Sequence, residues 1–417
     1  MNQRGVFQID WPTILMYLML VGIGWMNIYA ATYSDQYEGL LDINQNHGRQ
    51  LIFFLGAVVI MLLVLFLDIR LLRIAPWPLY IISLASLVAV LLFGQKISGA
   101  RSWFVLGPIG IQPGEFAKVA AALVLANYMG RLEFSWRKWK DRIIAILLVA
   151  IPALIILPQP DLGSTIVFSA FIFVFHREGM SSGWIFLGLA VGLIFVLALL
   201  FDSLYLSLFF LAIALIVIFI QRKKSRRWVS VLGVLFVVIG VIQSVDYTFN
   251  NLLEDRHRNR INILLGLEQD LKGVGYNTHQ AQIAIGSGGL TGKGFLQGTQ
   301  TKYNFVPEQH TDFIFCTVGE EWGLVGSVIL LLLFSGFLMR LIFMAERQKV
   351  VMYRVYGYAL VSVLFFHFAI NIAMAIGLFP VVGIPLPFVS YGGSSLWAFS
   401  LMLFIFVKMD AHRMDVW

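Results

Sequence analysis

Twelve apolar runs leave few folds open to this 417-residue chain. They lie at about 11–31, 50–67, 77–93, 115–130, 143–158, 162–176, 183–201, 204–220, 228–247, 312–341, 353–379 and 388–408. A hydrocarbon core of ~30 Å asks for about 20 residues of helix rising ~1.5 Å each, and most of these runs come close to that. In lipid every backbone polar group must be bonded within the protein, so the runs predict helices. Composition agrees, with 59% hydrophobic residues, 13% charged and 35 phenylalanines. The expected fold is an all-α polytopic integral membrane protein of about 12 transmembrane helices, one membrane domain over residues 1–417. The fourth and sixth runs are short and polar at one end, which predicts helices that are tilted, broken or buried against neighbours instead of facing lipid. The first run reads as an uncleaved first span.

Charge then orders the connections. A net charge of +7 would suggest nucleic acid in a soluble protein, but here it is a topology signal and no nucleic-acid partner is expected. Taken alternately, one set of connections holds "RLEFSWRKWKDR" at 131–142, "RKKSRR" at 222–227, the segment 340–354 and the tail. It carries 20 of the 30 Lys and Arg residues, which makes it cytoplasmic together with both termini. The long connection 248–311 is then extracytoplasmic. Within it Ile261, Leu264 and Leu265 lie at helical spacing behind Arg256, Arg258 and Arg260, as in a short interfacial helix. The single cysteine, Cys316, rules out an internal disulfide.

The stretch "QIAIGSGGLTGKGFLQGTQ", 282–300, looks at first like a phosphate loop. A P-loop needs a glycine where Ser287 stands and a hydroxyl where Gly294 stands, so no nucleotide is expected. Its glycines let backbone approach closely, and Lys293 reads as a surface cation.

The polar residues without an evident structural role gather on the outer side. Glu115 and Lys118 are three apart on one helix face, where they can pair, and ionisable groups within a span are functional candidates. In "PQPDLGS" Asp161 can cap the next helix through the N–H of Gly163 or Ser164. Asp270, ahead of Lys272 and Gly273, has the context of a turn residue. Glu308, His310 and Asp312 stand at the mouth of the tenth run, with Glu320 and Glu321 deeper. These carboxylates suit structural pairing with outer cations, or a transient Mg or Mn ion, which needs only one or two of them plus water. His367 and Asn371 share a face of the eleventh run, and the histidine reads as a satisfied bundle residue. The prolines and glycines of "GLFPVVGIPLPFVSYGGSSLW" predict a re-entrant excursion in which Ser390, Ser394 and Ser395 line a cavity.

"GARSW", "GPIGIQPGEFAK", "QPDLGS", "IGSGGLTGKGFLQGTQ", "FVPEQHTDFIF", "EEWGLVG" and "GLFPVVGIPLPFVSYGGSS" resemble, in this order, the SEDS family of membrane proteins, its elongation-type members more than its division-type ones. The resemblance implies a peptidoglycan glycosyltransferase that polymerises lipid II outside the bacterial plasma (inner) membrane during elongation. It implies as partners a class B penicillin-binding protein transpeptidase and other membrane proteins of the elongation complex. It makes Asp270 the catalytic residue and carries over Glu115, Lys118 and Asp161, with Arg101 and Trp103 as cavity residues. Glu320 and Ser390 complete the candidate set. Two departures stand out. Family members usually have ten spans, so 183–220 is expected to be a two-helix addition, and Gly114 stands where the family has serine. In the expected mechanism Asp270 takes the proton of the attacking sugar hydroxyl, while Lys118, Arg101 or a divalent ion neutralises the departing pyrophosphate. The alternatives are a lipid II flippase, a scaffold for partner enzymes, and a division-type polymerase.

Overall fold

The computed structural model describes residues 9–33, 42–97, 99–107, 109–220, 227–252, 258–259, 261–262, 275–303 and 305–414. All twelve apolar runs are helical. In chain order the helices are α1 (Trp11–Thr32), α2 (Asn46–Phe66), the single turn α3 (Leu71–Ile74), α4 (Pro76–Phe93), α5 (Pro113–Met129), α6 (Trp139–Ile156), α7 (Leu162–Val167), α8 (Phe171–Arg177), α9 (Gly183–Leu200), α10 (Ser203–Ile220), α11 (Arg227–Tyr247), α12 (Tyr276–Ser287), α13 (Thr299–Lys302), α14 (Ile314–Glu346), α15 (Val351–Ala375) and α16 (Gly393–Ala411). Among the described residues nine helices are long and apolar enough to cross a membrane: α1, α2, α4, α9, α10, α11, α14, α15 and α16. The other three runs are α5, α6 and the pair α7–α8. As their polar ends predicted, the sixth run is broken, by a 3-10 turn at Phe168–Ala170.

The helical class holds, with one local addition. Between α4 and α5 lies a three-stranded antiparallel sheet, β1 (Gln95–Ile97), β2 (Ala100–Leu106) and β3 (Ile109–Ile111), with β2 central. Gln95 faces Trp103, and Phe104 faces Ile111. Gly99 (φ 86°) and Gly107 (φ 64°) turn the chain at either end of β2, in a region where an L side chain is strained. The aromatic and branched residues of "SWFVL" between these glycines are a hairpin signal that the surrounding apolar runs overshadow.

The chain divides into two compact units, residues 1–178 with 276–417, and residues 179–275. The smaller holds α9, α10 and α11 around Ala198, Leu206 and Ile242. Residues 183–220 form α9 and α10.

In the larger unit α5 is the central helix. All its residues except Phe116 and Asn127 are buried. Its alanines (117, 120, 121, 122 and 126) let α4, α6, α15 and α16 pack closely around it. α14 is two helices joined at Gly323, whose φ of 64° and ψ of −157° belong to glycine. Polar connections of this unit sort into two groups. One joins the sheet, the 158–161 turn, residues 308–312 and residues 378–392. The other joins Asp10, Arg340, Arg347 and Asp410, with Arg354–Glu178 and Arg177–Glu346 beside them.

Candidate active site

The first group of connections is assembled by short polar residues that bond across the fold. The backbone N–H of Arg101 donates to the Gln159 carbonyl (3.1 Å), which docks β2 on the 158–161 turn. Asp161 caps α7 as its sequence context predicts: Oδ1 accepts from the Ser164 N–H at 2.9 Å. Its Oδ2 accepts from the Ser164 hydroxyl (2.9 Å) and from Gln112 Nε2 (2.8 Å), so the same carboxylate also holds the start of α5. Both oxygens of Asp161 are thus engaged in structure.

The re-entrant segment 378–392 closes over this frame. A Cβ on Gly163 would lie 2.4 Å from the Val382 carbonyl oxygen, so the glycine is what lets α7 reach it. The Ser390 hydroxyl donates to the Thr311 carbonyl (2.6 Å) and accepts from the Leu386 N–H (2.8 Å). Ser394 donates to the Gly110 carbonyl (2.7 Å) and accepts from the Gln112 N–H (3.1 Å). Both serines are buried and tie backbone to backbone instead of lining an open cavity as expected. Asn371 donates to the carbonyls of Asp312 and Ile384, both at 2.8 Å. His310 and Tyr391 meet edge to face, 5.5 Å between ring centroids. Burial holds the His310 imidazole below its ordinary pKa, against the opposing pull of the Glu308 carboxylate.

Below the frame lies the charged centre. Lys118 Nζ donates to Glu115 Oε1 at 2.8 Å, the pairing expected at this spacing. It also donates to His367 Nε2 at 2.8 Å and lies 5.2 Å from the centroid of the Phe399 ring. The Lys118 and Glu115 side chains are 1% and 3% exposed. In this conformation the ammonium is therefore not a free cation for a leaving group, as the sequence suggested, but a fixed charge in the bundle. Glu115 Oε2 is buried with no donor among the described residues.

Arg101 is exposed, and the half-buried Trp103 ring covers Gly110, where a Cβ would come within 3.0 Å of it. Asp270 lies outside the described residues. The sequence did not single out Gln112, or His367 as the partner of Lys118. Gln112 carried a signal, a polar side chain directly ahead of the helix-starting Pro113.

The glycine stretch turns out to serve α14. Where Gly323 breaks the helix, the carbonyls of Glu320 and Glu321 and the N–H groups of Leu324 and Val325 lose their ordinary partners. Residues 289–294 replace them: Lys293 and Gly294 donate to Glu320 O and Glu321 O, while Leu324 and Val325 donate to Gly289 O and Leu290 O, at 2.9–3.1 Å. The approach needs glycine, since a Cβ on Gly288 would lie 2.0 Å from Gly319 O and one on Gly292 2.1 Å from Glu321 O. Glu320 is buried and accepts from Lys293 Nζ (2.7 Å) and from the N–H groups of Gln300 and Thr301 (each 2.9 Å). Lys293 is thus the counter-ion of a buried carboxylate more than a surface cation.

Against the other side of α5 runs an open groove of about 440 Å³, lined by apolar side chains of α2, α4, α5 and α16. Phe104 and Ile111 of the sheet also line it, and Phe116, Val119 and Leu123 are its α5 wall. One helix therefore presents an ionic centre on one face and an apolar channel on the other.

A multi-pass helical bundle with this frame defines a class of membrane protein, and comparison with known proteins agrees. The chain matches the family model described as "Cell cycle protein", that of FtsW, RodA and SpoVE, over residues 11–207 and 177–415, and it belongs to that family, the SEDS family. Among its relatives are the peptidoglycan glycosyltransferase MrdB of Escherichia coli K12 and the peptidoglycan glycosyltransferase RodA of Treponema pallidum. MrdB is 36% identical over 340 residues, 81% of this chain and 78% of that protein. RodA is 31% identical over 447 aligned positions, 99% of this chain and 100% of that one. A solved structure described as a peptidoglycan synthase complex that coordinates polymerization and crosslinking contains a chain of the same fold. Its TM-score is 0.71 at 27% identity, covering 98% of this chain and 99% of that one.

Proposed function

We propose that this protein is a peptidoglycan glycosyltransferase that polymerises lipid II at the outer face of the bacterial plasma membrane, in the elongation branch of its family. The observation that carries the reading is the double character of α5. A polyprenyl-pyrophosphate sugar has a long apolar tail and a dianionic head, and α5 offers an apolar groove beside a buried ammonium–carboxylate centre. Relatives named as peptidoglycan glycosyltransferases, matched along most or all of their length, support it. Both termini are cytoplasmic in this reading, on the strength of the basic connections.

In the reaction, the acceptor sugar hydroxyl attacks the anomeric carbon of the donor. A C–O bond forms there, the bond to pyrophosphate breaks, and the leaving pyrophosphate keeps the electron pair. Asp270 receives the hydroxyl proton. Glu115 and Lys118 hold a fixed charge beneath the reacting head, Asp161 and Gln112 keep the start of α5 in place, and Arg101 on the exposed sheet faces the pyrophosphate. A Mg or Mn ion, held by one or two carboxylates plus water, would help neutralise the pyrophosphate. A class B penicillin-binding protein is the proposed partner, which the synthase-complex neighbour supports.

The test is glycan synthesis from purified lipid II by the full chain with its transpeptidase, with and without Mg or Mn. Polymer is expected from the wild type and none from Asp270→Asn. An Asp270→Asn protein that inserts normally and polymerises at the wild-type rate would remove Asp270 as the base. A wild-type protein that moves lipid II between leaflets without making polymer would favour the flippase.

A further inference from the structure

The His367 imidazole lies between the ionic centre and the re-entrant segment and touches both. Its Nδ1 is 3.2 Å from the Pro385 carbonyl oxygen, which can only accept, so Nδ1 carries the proton. Nε2 is then a bare acceptor, and it faces Lys118 Nζ at 2.8 Å. The ring is buried and held edge-on by Phe399, 4.8 Å between centroids, so it cannot swing away to solvent. Of the three ammonium N–H groups, one reaches Glu115, one reaches His367, and the remaining side faces the Phe399 ring.

From this geometry we infer that His367 is a positioning residue for polymerisation: it holds the Lys118 ammonium at a set point between α5 and α15. The inference rests on the proposed function, in which Glu115 and Lys118 hold a fixed charge beneath the reacting head. The alternative resting place for the ammonium is already present. Among the described residues Glu115 Oε2 is buried without a donor, and a lysine released by His367 would rotate onto it, forming a closed pair with both carboxylate oxygens. The protein would stay folded, and the charge would sit elsewhere. A residue that merely filled the core would not behave in this way.

Two substitutions separate the two ends of the ring. In His367→Asn the amide reaches only the Nδ1 position, so it can donate to Pro385 O but leaves Lys118 without its acceptor. In His367→Gln the amide oxygen reaches the Nε2 position, so Lys118 keeps an acceptor and Pro385 loses its donor. The expected result is a fall in kcat of about ten- to hundredfold for His367→Asn, the loss of one hydrogen bond to a charged group, with KM nearly unchanged. His367→Gln should stay within about threefold of wild type, since its neutral bond to Pro385 contributes less. Lys118→Met combined with His367→Asn should be no slower than Lys118→Met alone, because the histidine acts through the lysine. Thermal unfolding in detergent should leave all these variants folded at the assay temperature. Wild-type kcat in His367→Asn would overturn the inference. So would the reverse order, with Gln impaired and Asn active, which would assign His367 to the Pro385 contact. A loss in both that follows the fraction unfolded would overturn it too. Failure of the underlying function shows separately, as a wild-type complex that makes no glycan.

Discussion

Asp161 and Glu115 show what one residue's neighbours in sequence can reveal. The cap at Asp161 and the i,i+3 pair at Glu115 and Lys118 were legible because both partners lie within a single turn. The second partner of Lys118 was not, since 249 residues of chain separate it from His367. Asp10 combines the two cases. It caps α1 by accepting from Thr13, a local bond, but it also pairs with Arg340 and Arg347, which no local pattern announces. Burial pushes the Asp10 carboxyl up, but the Arg340 and Thr13 hydrogen bonds outweigh it and leave its pKa at about 2 against an ordinary 3.8. A carboxylate depressed in the folded state stabilises the fold fully above its unfolded pKa and loses that contribution as pH falls through the folded value. Stability should therefore be insensitive to this group above about pH 5 and should drop by about 2 kcal/mol between there and pH 2. Asp10→Asn should remove that part of the acid transition and lower stability at neutral pH by a similar amount. Thermal unfolding in detergent across pH measures both, and an unchanged acid profile in Asp10→Asn would refute the assignment.

At the scale of elements, helices were easy to read from the sequence and their interruptions were not. A run of apolar residues announces a helix because lipid allows little else, whereas the break in α14 at Gly323 is stable only because a segment some 30 residues earlier bonds to it. The glycines of 288–294 were conspicuous, but their role was hidden until their partner was known. Two of them give a graded test. Gly289 (φ 57°) has open space where a Cβ would go, so Gly289→Ala should cost about 1–2 kcal/mol, the left-handed strain alone. Gly292 (φ 80°) adds a 2.1 Å approach to the Glu321 carbonyl oxygen, so Gly292→Ala should cost about 3 kcal/mol or more and separate the segment from α14. Equal effects in unfolding experiments would mean that close approach is not what the glycine is for. The small sheet escaped the sequence reading because its three strands are short and lie between apolar runs. Gly99 and Gly107 mark its turns.

Across the whole molecule, the helical, multi-pass class was legible because it depends on sums over many residues, whereas nine of the twelve expected spans are long and apolar enough to cross a membrane among the described residues. Which side of the membrane each end faces depends on similar sums. The reading places 20 of 30 Lys and Arg residues on the cytoplasmic connections. Within the larger unit these connections form one group, where Arg340, Arg347 and Arg354 are paired with Asp10, Asp410 and Glu178. The sheet, the re-entrant segment and the glycine stretch belong to the opposite end. The single native cysteine makes this testable with little background, because Cys316 is buried. Leu132 in the basic block is fully exposed, and Leu290 in the glycine stretch is 70% exposed. In right-side-out vesicles of a Cys316→Ala protein, a membrane-impermeant maleimide should label Leu290→Cys directly and Leu132→Cys only after permeabilisation. The opposite pattern would turn the molecule over, placing α5's ionic centre and the re-entrant segment on the cytoplasmic side. A polymerase of extracytoplasmic glycan needs them outside, so this labelling tests the function as well as the topology.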